Sequence, residues 1–158
     1  MLMKKHVLVV FASVFAVLLL APLAAARGLS PAESSLLRAV NSTRVAHHLR
    51  PLRADSTLTR AARSHSQDMV SHGYFAHGAF RSRMLAFGAR GPFVGENLAW
   101  GVGSLASPAA VIREWLASPE HRVNLLRPGF ARIGIGESIG SFRGYGGAVV
   151  VTADFAGY

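Results

Sequence analysis

Trp115-Leu116-Ala117-Ser118-Pro119-Glu120-His121-Arg122, followed by Phe130 and by Ile133-Gly134-Ile135-Gly136, decides how this chain folds. Ser118-Pro119 is a helix start, because proline suits the first helical position, where no N–H is needed. Ser107-Pro108 uses the same device eleven residues earlier and opens a helix that carries Val111, Ile112, Trp115 and Leu116 on adjoining faces. The repeat predicts a break at Ser118 and places His121 in the first turn of a new short helix. Beyond it, Arg132 to Ser138 alternates as a strand does, and the valine-rich stretch from Gly147 to Phe155 reads as a second, with Gly140 to Gly146 as the hairpin connection.

Upstream, the signals are helical. Ser30-Pro31-Ala32-Glu33 is a capping box with proline at the first position, and the helix it opens runs to about His48. Leu36, Leu37, Val40 and Arg44 keep helical spacing, so Asn41 and Arg44 lie beside a buried stripe. Asp55-Ser56 starts a second helix with Leu58, Ala61, Ala62, His65 and Met69 on its apolar face, and Gly73 ends it. A less regular middle contains a short helix near Met84 to Phe87, closed by Gly88 and the Gly91-Pro92 turn. Helices early and strands late give an α+β protein.

Tyr74-Phe75-Ala76-His77, Gly95-Glu96-Asn97-Leu98 and the stretch around His121 set two imidazoles and a carboxylate in apolar and glycine-rich surroundings. Together with Val40-Asn41-x-x-Arg44, Leu52 and Val151-Thr152-Ala153-Asp154-Phe155, they resemble the CAP superfamily of cysteine-rich secretory, antigen 5 and pathogenesis-related 1 proteins, in its short disulfide-free bacterial type. The likeness extends from about Leu36 to Phe155. It implies a three-layer α-β-α sandwich and a surface cavity lined by two histidines and two acids. Carried over residue by residue, these are His77, Glu96 and His121. The fourth member does not carry over: where longer eukaryotic members have an acid, this chain has Ser118, which reads as a helix cap, and Glu114 and Glu120 flank it.

The bulk properties bound the function. Lys4, Lys5 and His6, the apolar run from Val7 to Leu20 and Ala24-Ala25-Ala26 make residues 1–26 a secretory signal cleaved after Ala26. That run is shorter than the roughly 20 residues of a bilayer span. Residues 27–158 then form a single domain, exported to the cell envelope or beyond, with no membrane span and expected as a monomer. Without Lys4 and Lys5, the 17 basic residues fall to 15, all arginine, against 8 acids, for a net charge of +7. The arginines are scattered rather than blocked, and no nucleic-acid motif accompanies them. The chain has no cysteine, so disulfides, thiol chemistry and cysteine-ligated zinc are excluded.

Two neutral imidazoles and a carboxylate are suitable ligands for zinc or a related divalent ion, with His77 and His121 as the metal-binding candidates. Yet no His-Glu-x-x-His is present, and no Gly-x-Ser-x-Gly elbow supports a serine triad at Ser66, Ser71 or Ser118. The alternative is that His77, Glu96 and His121 hold one another by hydrogen bonds. The leading functional expectation is a non-catalytic extracellular binding module that needs no cofactor. Its ligand would be a lipid, a sterol or cell-wall material, the classes suggested for relatives. The competing expectation is a metal-assisted hydrolase of peptide or cell-wall bonds, with Glu96 as ligand or general base. Other residues have plainer readings: His65 as a core histidine, His72 as solvated, His47 and His48 as helix-end cations, Asn97 as a turn former, and Trp115 as core. Tyr74 and Phe75 wall the cavity or the core, Trp100 stands partly exposed beside a groove, and Arg122 pairs with Glu120 or Asp154.

Overall fold

The structure, a computed structural model, describes residues 28–157. The signal expected over residues 1–26 lies outside them. Helix α1 (Pro31–Ala46) begins as its sequence requires: the Ser30 hydroxyl accepts from the Glu33 N–H and the Glu33 carboxylate accepts from the Ser30 N–H. Strand β1 (Arg53–Ala54) precedes α2 (Ser56–His72), which Asp55 caps through the N–H groups of Thr57 and Leu58 and which Gly73 closes in the left-handed conformation. Then come α3 (Phe80–Ala86), β2 (Val94–Gly101), a 3-10 turn (Gly103–Ala106), α4 (Pro108–Ala117), α5 (Pro119–Leu125), β3 (Arg132–Phe142) and β4 (Tyr145–Ala156).

The helix break at Ser118 occurs as read. The cap is made by the backbone, however, with the Arg122 N–H donating to the Ser118 carbonyl, and the serine hydroxyl makes no capping bond. The hairpin is tighter than expected: β3 and β4 are longer, and Arg143-Gly144 turns the chain with positive φ at both residues. α3 starts four residues earlier than its hydrophobic pattern suggests.

The four strands form one sheet in the order β1-β3-β4-β2, antiparallel except for β1 beside β3. Helices cover both faces, giving the three-layer α-β-α sandwich. On one face α1, α4 and α5 bury Leu36, Val40, Val111, Trp115 and Leu125 against Ile133, Ile135, Val151, Ala153 and Phe155. On the other, α2 and α3 bury Leu58, Ala61, Met69 and Met84 against Leu98, Val150 and Ala156.

β2 is the element the sequence conceals, since its Gly95, Glu96 and Asn97 disfavour a strand. It is buried on both faces, so its residues show no alternation of apolar and polar. Its carbonyls are covered by side chains: Asn124 Nδ2 donates to the Glu96 oxygen at 3.1 Å and Trp115 Nε1 to the Leu98 oxygen at 2.9 Å.

Two constraints hold the layers in place. A Cβ at Gly134 would overlap the backbone of Leu58 and Thr59, and one at Gly136 would overlap that of Ala62 and Arg63, so α2 lies directly on β3. Ser66 in the same helix donates to the Gly136 carbonyl and accepts from the Thr152 hydroxyl, both at 2.9 Å. On the opposite face the fully buried Arg44 has no acidic partner among the described residues. Its guanidinium donates to the carbonyls of Arg50, Leu125, Arg127 and Phe130, tying α1 to the segment between α5 and β3. Asn41 bonds both the N–H and the carbonyl of Leu52.

Gly134→Ala or Gly136→Ala is therefore expected to abolish the cooperative unfolding transition, measured by circular dichroism, because rigid backbone must yield. Arg44→Met removes the donors from four carbonyls and is expected to cost about 3 kcal/mol or more in urea denaturation, given the penalty for each buried polar group left unsatisfied.

Candidate functional site

Glu96 is the centre of the site. It sits in β2 with its side chain 1% exposed, on the sheet face covered by α2 and α3. A buried carboxylate needs compensating partners. His77, in the loop between α2 and α3, brings Nδ1 to 2.7 Å from Oε1, and the Arg83 guanidinium of α3 donates to Oε2. Arg83 also donates to the His77 carbonyl at 3.2 Å, fixing the loop that carries the histidine. Both carboxylate oxygens are thus engaged. The bond to Glu96 raises the His77 pKa above its ordinary 6.5, and its side chain remains 54% exposed.

Behind Glu96 lie two further titratable groups. His65 of α2 is 2% exposed, with Nε2 at 3.0 Å from the Ala76 carbonyl and 3.9 Å from Glu96 Oε2, and burial lowers its pKa. Asp154 of β4 is directly opposite Glu96 in the sheet, completely buried, and neither of its carboxyl oxygens meets a hydrogen-bond partner among the described residues. Burial, and then the negative charge of Glu96, push its carboxyl well above the usual carboxylate range, which makes it the neutral acid of the pair.

His121 stands in the first turn of α5, on the other side of the edge strand β2. Its placement depends on an amide latch: Asn97 Nδ2 donates to the His121 carbonyl at 2.9 Å, and Asn124 Nδ2 donates to Asn97 Oδ1 at 3.0 Å. Its Nδ1 is buried without a partner among the described residues. Burial lowers its pKa, and the nearby charge of His77 lowers it further. Of the two imidazoles, His77 therefore holds its proton to higher pH than His121.

The structure brings His77 and Glu96 into contact and sets His121 within electrostatic reach of His77. Glu120, exposed on α5, raises the pKa of both histidines, whereas Glu114, on α4, forms no hydrogen bond or ion pair with either. Asn97 is not in a turn: it lies inside β2. Arg122 does not pair with Glu120 or Asp154; its guanidinium reaches the Leu116 carbonyl at 3.5 Å, and Asp154 is sealed within the sandwich. Arg83, Asp154 and Asn124 went unread as site residues. A signal existed for Asp154, an acid inside a valine-rich strand; Arg83 is one of many scattered arginines.

A zinc ion held jointly by His77, Glu96 and His121 does not fit this arrangement. Glu96 has given its oxygens to His77 and to a guanidinium whose charge would repel a dication. No three His, Asp or Glu side chains among the described residues converge on a metal position.

A three-layer sandwich with an imidazole-carboxylate cluster at its edge strand defines the class. Residues 37–155 match the cysteine-rich secretory protein (CAP) family, and the chain belongs to that family. It is 37% identical over 109 residues to the uncharacterized protein YkwD of Bacillus subtilis, a match spanning 66% of this chain and 41% of that one. It is 33% identical over 109 residues to the uncharacterized membrane protein YlbC of the same organism, covering 66% of this chain and 31% of the relative. The chain thus spans less than half the length of these relatives. Among solved structures, an extracellular SCP-domain protein of Bacillus anthracis superimposes with a TM-score of 0.67 at 25% identity, over 84% of this chain and 45% of the other. An outer surface protein of Borrelia burgdorferi shares the fold, with a TM-score of 0.66 at 20% identity over 78% and 90% of the two chains. No helix among the described residues is long and apolar enough to cross a membrane.

The two histidines should separate in an NMR titration, His77 titrating above 6.5 and His121 below it. A folded-state pKa that is raised contributes stability below the unfolded value, and this contribution is lost as pH rises through the folded value. His77→Ala is accordingly expected to remove a component of stability that declines as pH rises above 6.5, read as the pH dependence of the urea midpoint.

Proposed function

We propose that this protein is a non-catalytic extracellular ligand-binding module whose recognition face is built by His77 and His121 around the edge of β2. One observation carries the reading: the Glu96 carboxylate is buried and both its oxygens are committed to His77 and Arg83. A general base must reach the proton it abstracts. Glu96 instead orients His77, which turns its exposed edge outward as a donor. His121 adds the less basic imidazole, so the face pairs a stronger proton donor with a readier acceptor, suited to holding a polar head or a wall polymer. Export to the envelope follows from the expected signal and accords with the extracellular relative. The ligand classes remain those the family resemblance implies: lipid, sterol or cell-wall material.

The test is cosedimentation of the purified protein with bacterial cell-wall sacculi, phospholipid vesicles and sterol-containing vesicles, alongside zinc titration by calorimetry. Binding to one of these surfaces, weakened about tenfold or more in His77→Ala and His121→Ala with folding retained, is the expected outcome. Zinc-dependent release of soluble wall fragments, lost in both variants, would overturn the proposal in favour of a metal-assisted hydrolase.

A further inference from the structure

A groove of about 670 Å³ runs between α2 and α3, lined by Arg83 but not by His77, and the volume lies within the usual range for small-molecule sites. α2 lines it with Ser64, Gln67, Asp68, Ser71 and His72, which share one side of the helix at three- and four-residue spacing. Ala79, just before α3, and Ser82 and Ala86 within it line the other side, and their small side chains leave the space open.

The charged side chains on these walls already have partners within the protein. Asp68 accepts from the Tyr74 hydroxyl and pairs with His72 Nδ1 at 2.9 Å, and Arg83 is held by Glu96. Burial and the Asp68 carboxylate push the Tyr74 phenol up to about 12, so it stays a donor to Asp68. With Arg83 held by Glu96, no free guanidinium among the lining residues is left to select an anion.

The hydrogen-bonding groups point to one chemistry. His65 lines the groove while 2% exposed, and its Nε2 donates to the Ala76 carbonyl. Its Nδ1 is then an acceptor, and that nitrogen has no hydrogen-bond partner among the described residues. The Asp68 carboxylate, half exposed, retains accepting capacity, whereas the serine hydroxyls and the Gln67 amide both donate and accept. A hydroxyl-bearing ligand answers all of these at once, donating to Asp68 and His65 and exchanging bonds with the serines. The half-buried Tyr74 ring adds an apolar surface at the wall.

We propose that the groove between α2 and α3 binds a neutral, hydroxyl-rich ligand, namely a short oligosaccharide. This site shares His65 and Arg83 with the surroundings of Glu96 but includes neither His77 nor His121, and it does not depend on the function assigned to their face.

The experiment is amide NMR titration of the purified protein with two probes, tri-N-acetylchitotriose and cellotriose. At least one trimer should give saturable shifts at Ser64, Gln67, Ser71 and Ser82, with a dissociation constant of about 1 mM or tighter. Ala86→Phe, which fills the groove from an exposed helical position, and Asp68→Asn, which removes the charged acceptor, should each weaken binding about tenfold. His77→Ala and His121→Ala should leave the shifts unchanged, separating this site from the one above. Absence of saturable groove shifts with both trimers, full binding by Ala86→Phe, or equal shifts from triglycine would overturn the proposal.

Discussion

The direct seating of α2 on β3 is the contact from which the rest of the architecture follows. Gly134 and Gly136 offer no side chain, so the helix backbone itself meets the sheet, and Ser66 locks the register through Gly136 and Thr152. Gly134, Asp154 and Glu96 lie in one row across β3, β4 and β2. The helix that rests over the first is therefore carried beside the other two. Its next turn delivers His65 to within 3.9 Å of Glu96. A separation larger by one methyl group would move an imidazole, a serine and the floor of the polar groove together.

The same row confronts the protein with two acids side by side in an apolar interior. Two ionised carboxyls there would repel each other strongly in a medium of low dielectric constant. The arrangement divides their roles. Glu96 takes an arginine and a histidine and serves as the anion; Asp154 takes neither and remains neutral under burial. The charge on Glu96 then governs what is displayed outside. It sets the tautomer and protonation of His77, and His77 in turn depresses His121. The exposed chemistry of the edge is set by a group that solvent scarcely touches.

Much of this fold was legible along the chain because its signals are local. The capping box at Ser30, the Asp55 cap, Gly73 and the paired Ser-Pro starts each act through hydrogen bonds within one turn, and each appears where the sequence placed it. β2 was not legible, because its pattern is dictated by helices on both faces rather than by alternation. Asn97 illustrates the difference. Read locally it suits a turn, yet within the sandwich it is the buried link that holds α5, and His121 with it, against the edge strand.

By itself, the sequence determined the helix ends, the α+β order, the absence of disulfides and a short set of candidate polar residues. His77, Glu96 and His121 were among them through family resemblance. Only the tertiary structure decided which of these residues meet, which arginine neutralises Glu96, and that the carboxyl facing it is Asp154, distant in sequence but directly opposite across the sheet. The reason is physical: caps and turns are settled by neighbours within a few residues. Burial, charge pairing and proton affinity depend on groups that only strand pairing and helix packing bring together.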